Sequence, residues 1–176
     1  MTTKREPLLI MLLLLTLQLG ANNNDSDRLT QRVKAIYNEI FAQKENITRN
    51  EHYATQKYLS QGFKELYNEV CRWEEKLGEM IYGNSIWGVP QDIPEKTSFS
   101  VFDATTKDDT AKVCVRLTFT DENFSPSTWD WNTDTLCFIR ENDDWYLDDV
   151  RRFSYSEKEV MKKELSDVVK QWIESR

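Results

Sequence analysis

The stretch Ala111-Lys112-Val113-Cys114-Val115-Arg116-Leu117-Thr118-Phe119-Thr120 decides the fold class. Its β-branched and aromatic residues suit an extended chain. Its period of two sets Val113, Val115, Leu117 and Phe119 on one face, with Cys114, Arg116, Thr118 and Thr120 opposite. A strand with one apolar face belongs to an antiparallel sheet that covers a core on one side. Thr97 to Ala104, Trp129 to Arg140 and Asp144 to Phe153 repeat this composition, and the clusters Lys107-Asp108-Asp109 and Glu141-Asn142-Asp143 supply turns. Short links between successive strands predict a meander.

Before the sheet the period is helical. Leu29, Val33, Ile36, Tyr37, Ile40 and Phe41 form a stripe from Ser26 to about Gln43, with Arg32, Lys34 and Glu39 on the other side. Lys44 to Asn50 breaks the pattern, and a short helix then holds Tyr53, Tyr58 and Leu59. Ser60 caps a second long helix striped by Phe63, Leu66, Tyr67, Val70, Trp73 or Glu74, and Leu77, which Gly78 or Gly83 ends. Gly83, Gly88, Pro90 and Pro94 make residues 82 to 96 an irregular connection. After the strands, Ser156-Glu157-Lys158-Glu159 is a capping box opening a helix over 157–175, with Met161, Leu165, Val168, Val169, Trp172 and Ile173 as its stripe. The expected architecture is α+β: N-terminal helices packed on a curved, cone-like antiparallel sheet, plus a C-terminal amphipathic helix.

At the N-terminus, Lys4 and Arg5 precede the apolar run Leu8 to Leu17, which ends in Gln18-Leu19-Gly20-Ala21 before the polar Asn22-Asn23-Asn24-Asp25. The run is shorter than the roughly 20 residues a spanning helix needs, and the order matches a secretory leader cleaved after Ala21. The expected organisation is a signal peptide at 1–21, a short linker at 22–27 and a single domain at 28–176. The expected location is periplasmic or secreted, with no permanent membrane anchor and no cysteine near the junction for lipid attachment. The chain has 176 residues, with 23 Lys and Arg against 30 Asp and Glu, a formal charge of -7. That balance repels phosphate backbones and argues against a nucleic-acid partner.

Motif chemistry is sparse. No Gly-rich phosphate loop, GxSxG elbow or HExxH is present, and the sequence implies no cofactor. His52 is the single histidine and no CxxC occurs, which removes Cys/His zinc sites. Asp130, Asn132, Asp134 and Glu141 have the spacing of a calcium loop, but Thr135 stands where that loop needs Gly and Leu136 to Ile139 read as a strand, so no metal is expected. Cys114 and Cys137 lie on neighbouring strands. A turn centred near Phe124 to Ser127 places them nearly opposite, where a disulfide competes with two buried thiols. Cys71, on a helix, reads as a small core residue. Trp87, Trp129 and Trp131 fall in loops or at strand ends, where large aromatics either stack on a ligand or partner or cover the core.

The segments Val33-Lys34-Ala35-Ile36-Tyr37, Tyr58-Leu59-Ser60 with Phe63 and Leu66, Gln91-Asp92, Ala111 to Val115 and Trp145-Tyr146-Leu147-Asp148-Asp149-Val150 carry a resemblance over residues 28 to 153. In them the chain resembles the nuclear transport factor two-like cone, and within it a family of exported bacterial proteins of unknown function. The resemblance implies a pocket enclosed by a long helix and a bent sheet. It also implies that an enzyme of this kind would use a pocket Asp, often with His. Asp92, Asp148 and Asp149 are then the candidate bases, beside a solvated His52; alternation sends Asp148 and Asp149 to opposite faces, where each either anchors a loop or lines the pocket. Three functions follow as expectations: a non-catalytic binding module for a protein or small molecule, contacting it through Asp92, Trp87, Trp129, Trp131, Asp148 and Asp149; a small pocket hydrolase or isomerase; or an acidic immunity or inhibitor protein. A homodimer is implied by the resemblance alone.

Overall fold

The computed structural model describes residues 25–90, 96–120 and 133–176. The expected signal peptide, and Asp92, Trp129 and Trp131 among the candidate contacts, lie outside the described residues. A helix, α1, covers residues 25–40, so the described part of the expected linker is already helical. It is followed by α2 (Ile47–Tyr58) and α3 (Gln61–Leu77), strands β1 (Lys96–Lys107), β2 (Thr110–Thr120), β3 (Thr133–Glu141), β4 (Asp144–Arg152) and β5 (Tyr155–Ser156), and finally α4 (Glu157–Glu174).

The strands form one antiparallel sheet in chain order, β1 to β5. Asn142 and Asp143, both at positive φ, turn β3 into β4, as the short polar side chains that tolerate that region should. Two bulges bend the sheet. One falls at Asp103 and Ala104, between the Phe102–Cys114 and Thr105–Lys112 pairs, and the other makes Asp148 an extra residue opposite Cys137–Phe138. Val113, Val115, Leu117 and Phe119 are buried as the alternation requires. They share one core with Leu29, Val33, Ile36, Tyr37 and Ile40 of α1 and with Leu136, Phe138, Leu147 and Val150 of the sheet. Burying a Leu, Ile or Phe side chain is worth about 1.5–3 kcal/mol, so this face supplies most of the driving force for helix-on-sheet packing.

Helix α2 starts earlier than its sequence suggests. Asn50, which looks like a breaker, donates its amide to the Glu39 and Ile40 carbonyls at 3.1 and 3.3 Å and so closes the end of α1 from within α2. Ser60 caps α3 by accepting the Phe63 N–H at 3.2 Å, while its own N–H donates to the Leu147 carbonyl at 2.8 Å and ties the α2–α3 junction to β4. Gly78, at φ 70, ends α3 in the left-handed conformation that a Cβ would penalise. Ser156 accepts the Glu159 N–H at 3.1 Å and starts α4, which runs against α3 and β4. Among the described residues no helix is long and apolar enough to cross a membrane.

Candidate functional site

Residues 81–90 carry no regular structure, yet they are fixed by Trp87. Its fully buried indole donates to Thr55 Oγ1 at 3.1 Å, its carbonyl accepts the Tyr37 hydroxyl at 3.2 Å, and its ring meets Tyr37 edge-on at 6.0 Å. Trp87 is therefore a wedge between the first two helices, not a contact at the mouth of a cone; of its two sequence readings, burial describes it. Gly88 follows at φ 76, and a Cβ there would lie 3.0 Å from both Asp134 Oδ2 and Leu117 Cδ1. A side chain there would press on the Asp134 and Leu117 side chains, which would have to give way.

Behind this segment sits a charged centre. Arg152 of β4 forks onto Asp134 of β3, with Nε at 3.0 and 3.1 Å and Nη2 at 2.7 Å, and its Nη1 donates to Glu157 at 3.2 Å and to the Ser85 carbonyl at 3.1 Å. The side chains are 13%, 4% and 6% exposed for Arg152, Asp134 and Glu157, so each charge needs the others. Burial opposes the Arg152 charge, but the Asp134 hydrogen bonds and both carboxylates outweigh it and hold its pKa above the ordinary value. Tyr82 donates its hydroxyl to Glu157 at 2.6 Å, and burial together with that carboxylate pushes the phenol well above its usual range. The centre is ion-paired, hydrogen-bonded and closed, which suits anchoring rather than proton transfer.

An open concavity adjoins the same segment. A cleft of about 230 Å³ is walled by α2 through Thr48, Glu51, His52 and Thr55, by α3 through Tyr67, Val70, Cys71 and Glu74, and by Tyr82, Asn84, Ser85 and Ile86. Glu51 is its notable group. Burial raises its carboxyl above the ordinary carboxylate range, against the Ser85 hydroxyl and the Trp87 N–H that donate to Oε1. Ser85 is held in turn by the Val89 N–H at 2.7 Å. Glu74 accepts the Ile81 and Tyr82 N–H groups at 2.9 and 3.0 Å and folds the segment back over α3. Across the cleft the Tyr67 hydroxyl stands 3.5 Å from His52 Nδ1. Cys71 is half-buried here rather than in the core, and burial raises its thiol, so it is no activated nucleophile.

The remaining candidates are structural in their contacts. The β4 bulge overturns the simple alternation expected for Asp148 and Asp149, and both meet the start of α4. Asp148 accepts from Ser60 at 2.7 Å and from Lys158 Nζ at 2.6 Å; burial works against its carboxylate, yet these donors prevail and hold its pKa below the usual value. Asp149 accepts the Ser156 hydroxyl at 2.9 Å and the Lys158 N–H at 3.1 Å. Arg152, close by on the same strand, is claimed by Asp134 and Glu157. Cys114 faces Thr135 and Cys137 faces Lys112, so the register sets the two sulfurs on a diagonal and leaves them as free thiols. Among the described residues no His, Cys, Asp and Glu cluster could hold a metal, and Asp134 of the calcium-like spacing is committed to Arg152.

Glu51 and Ser85 were not singled out by sequence reasoning. The available signal was Glu51 at helical spacing from Thr48 and Thr55, a polar stripe beside the apolar one. No family model, curated protein or solved structure matches the chain.

Proposed function

We propose that the protein is an exported, non-catalytic binding module whose contact region is the cleft between α2, α3 and residues 81–86. One observation carries this reading: the charges around Arg152 are paired and closed, whereas this concavity presents Glu51, His52 and the Thr48 and Tyr67 hydroxyls around apolar Val70 and Ile86, with Tyr82 and Asn84 tied back to Glu157 at its rim. At about 230 Å³ it is smaller than the cavities that take drug-sized molecules, so its ligand is small and polar. The leader-like N-terminus supports export, and the helix-then-sheet order supports kinship with the nuclear transport factor two-like cone, with the difference that the space under this sheet is filled by Trp87 and Tyr37. The test is a nuclear magnetic resonance titration with a library of small polar fragments. Shifts clustered on Glu51, Tyr67 and Asn84 are expected; a library that leaves these residues unmoved, or moves another surface instead, refutes the reading.

A second reading, a pocket enzyme, is favoured by Glu51, a carboxylate lining the cleft whose burial raises its pKa, which suits an acid or base better than the anchored Asp148 and Asp149. The same titration separates the two. A bound fragment returned unchanged belongs to a binding module, and new product signals that vanish in Glu51→Gln belong to an enzyme.

A further inference from the structure

The cleft between α2, α3 and residues 81–86 carries charge of one sign. Glu51 and Glu74 both line it, no lysine or arginine does, and its one basic side chain, His52, is exposed. Each glutamate is fastened through a single oxygen. Glu51 Oε1 accepts from the Ser85 hydroxyl and the Trp87 N–H, and Glu74 Oε1 accepts from the Ile81 and Tyr82 N–H groups. No donor among the described residues reaches Oε2 of either, and neither of these oxygens is sealed from solvent. Arg152 relieves little of this charge: it acts on Glu51 less than burial and the two hydrogen bonds do, and Asp134 and Glu157 hold it. Burial raises the Tyr67 hydroxyl and the Cys71 thiol of the same wall, and the Glu74 charge adds to both shifts, so the cleft disfavours a further anion.

Partly buried carboxylates without a cation are costly, and a positive guest recovers that cost in a site drier than bulk water. The wall narrows the guest further. The free oxygens of Glu51 and Glu74, with the hydroxyls of Thr48 and Tyr67, call for N–H donors; a primary ammonium has three and a quaternary one has none. Val70 and Ile86 suit a short hydrocarbon part. Among the described residues no His, Cys, Asp and Glu side chains converge as metal ligands do, which makes the cation an organic one. We infer that the ligand of this cleft is a small primary ammonium compound, its charged nitrogen held by Glu51 and Glu74 and its hydrocarbon part set against Val70 and Ile86. The formal charge of -7 on the chain draws such cations toward it. The inference rests on the reading of this cleft as the contact region.

Matched probes test it by nuclear magnetic resonance titration of the full chain at about pH 8, where an alkylamine, like lysine, stays protonated. Butylammonium and benzylammonium are compared with the uncharged butanol and benzyl alcohol and with the anions butyrate and benzoate. The two ammonium probes should move the backbone signals of Glu51, Tyr67 and Glu74, and the other four should leave them in place. Glu51→Gln and Glu74→Gln keep the Oε1 acceptor and remove the charge, so each should weaken ammonium binding by about tenfold, with circular dichroism melts verifying that both variants are folded. Alcohols or carboxylates that fill the cleft as well as the ammonium probes overturn the inference and leave the cleft reading standing. Ammonium binding that is indifferent to both substitutions, or that falls on another surface, overturns it as well. If no probe moves the cleft the inference fails, and the wider fragment library then decides the cleft reading separately.

Discussion

Replacing Arg152 by Met keeps most of the side-chain volume and removes the charge that Asp134 and Glu157 share. The loss is then electrostatic and hydrogen-bonding rather than a cavity. Three donor contacts to Asp134, one to Glu157 and one to the Ser85 carbonyl disappear, and two carboxylates, 4% and 6% exposed, are left without their cation. Breaking a buried pair from one side costs about 3–5 kcal/mol. With an unfolding slope of about 2 kcal/mol per molar urea, the midpoint should fall by about 1.5–2.5 M. The triple variant Arg152→Met, Asp134→Leu, Glu157→Leu removes the charges together and should recover most of that loss, because well-packed apolar groups replace a buried ion set at little net cost. Urea unfolding followed by tryptophan fluorescence measures both. A single variant within about 1 kcal/mol of wild type, or a triple variant as unstable as the single, refutes the view that the centre is held by ion pairing through Arg152.

Three further outcomes follow from the same geometry. Gly88→Ala should cost about 1–3 kcal/mol in chemical unfolding, since it adds both left-handed strain and a Cβ at 3.0 Å from Asp134 Oδ2 and Leu117 Cδ1; a neutral effect would show that the close approach is not real. Ser60→Ala removes the α3 cap and the donor to Asp148, and should lower stability by about 1–2 kcal/mol in the same assay. Glu51 has a folded pKa above its unfolded one, so its contribution is fully present below the ordinary carboxylate value and is lost as pH rises through the folded value. Melting temperatures of wild type and Glu51→Gln, compared at about pH 4 and about pH 8, should therefore diverge in favour of the variant at the higher pH; a constant difference would contradict the burial of Glu51.

The elements that local chemistry controls were legible in the sequence. Strand alternation at 111–120 predicted the buried face of β2, and Ser60 and Ser156 announced helix starts because a cap acts within one turn. Partnerships made across the chain were not. Arg152 finds Asp134 from a neighbouring strand and Ser85 from a distant loop, and no spacing rule encodes that meeting. The stretch 44–50 hid a helix because Asn50 serves the end of α1 through a tertiary contact rather than breaking its own element. The bulge at Asp148 shifted the faces of Asp148 and Asp149, and bulges leave only a weak mark in a sequence. For Cys114 and Cys137 the expected facing depended on where the β2–β3 turn is centred, and the pairing of Cys114 with Thr135 differs from that estimate.

The bulge in β1 bears on how the protein behaves in a crowded solution. Among the described strands β1 is the long outer one, bonded to β2 alone, while the opposite margin of the sheet ends in the two-residue β5. A long outer strand offers free N–H and C=O groups to any passing extended chain and is a seed for aggregation. Asp103, at φ 50, breaks that row of groups part-way along and carries a charge into it, and Lys107 marks the end of the strand. Ser26 of α1 reaches Thr106 at 3.4 Å and shields the same end. An irregularity that looks like a defect in pairing thus keeps the sheet from growing beyond its own chain.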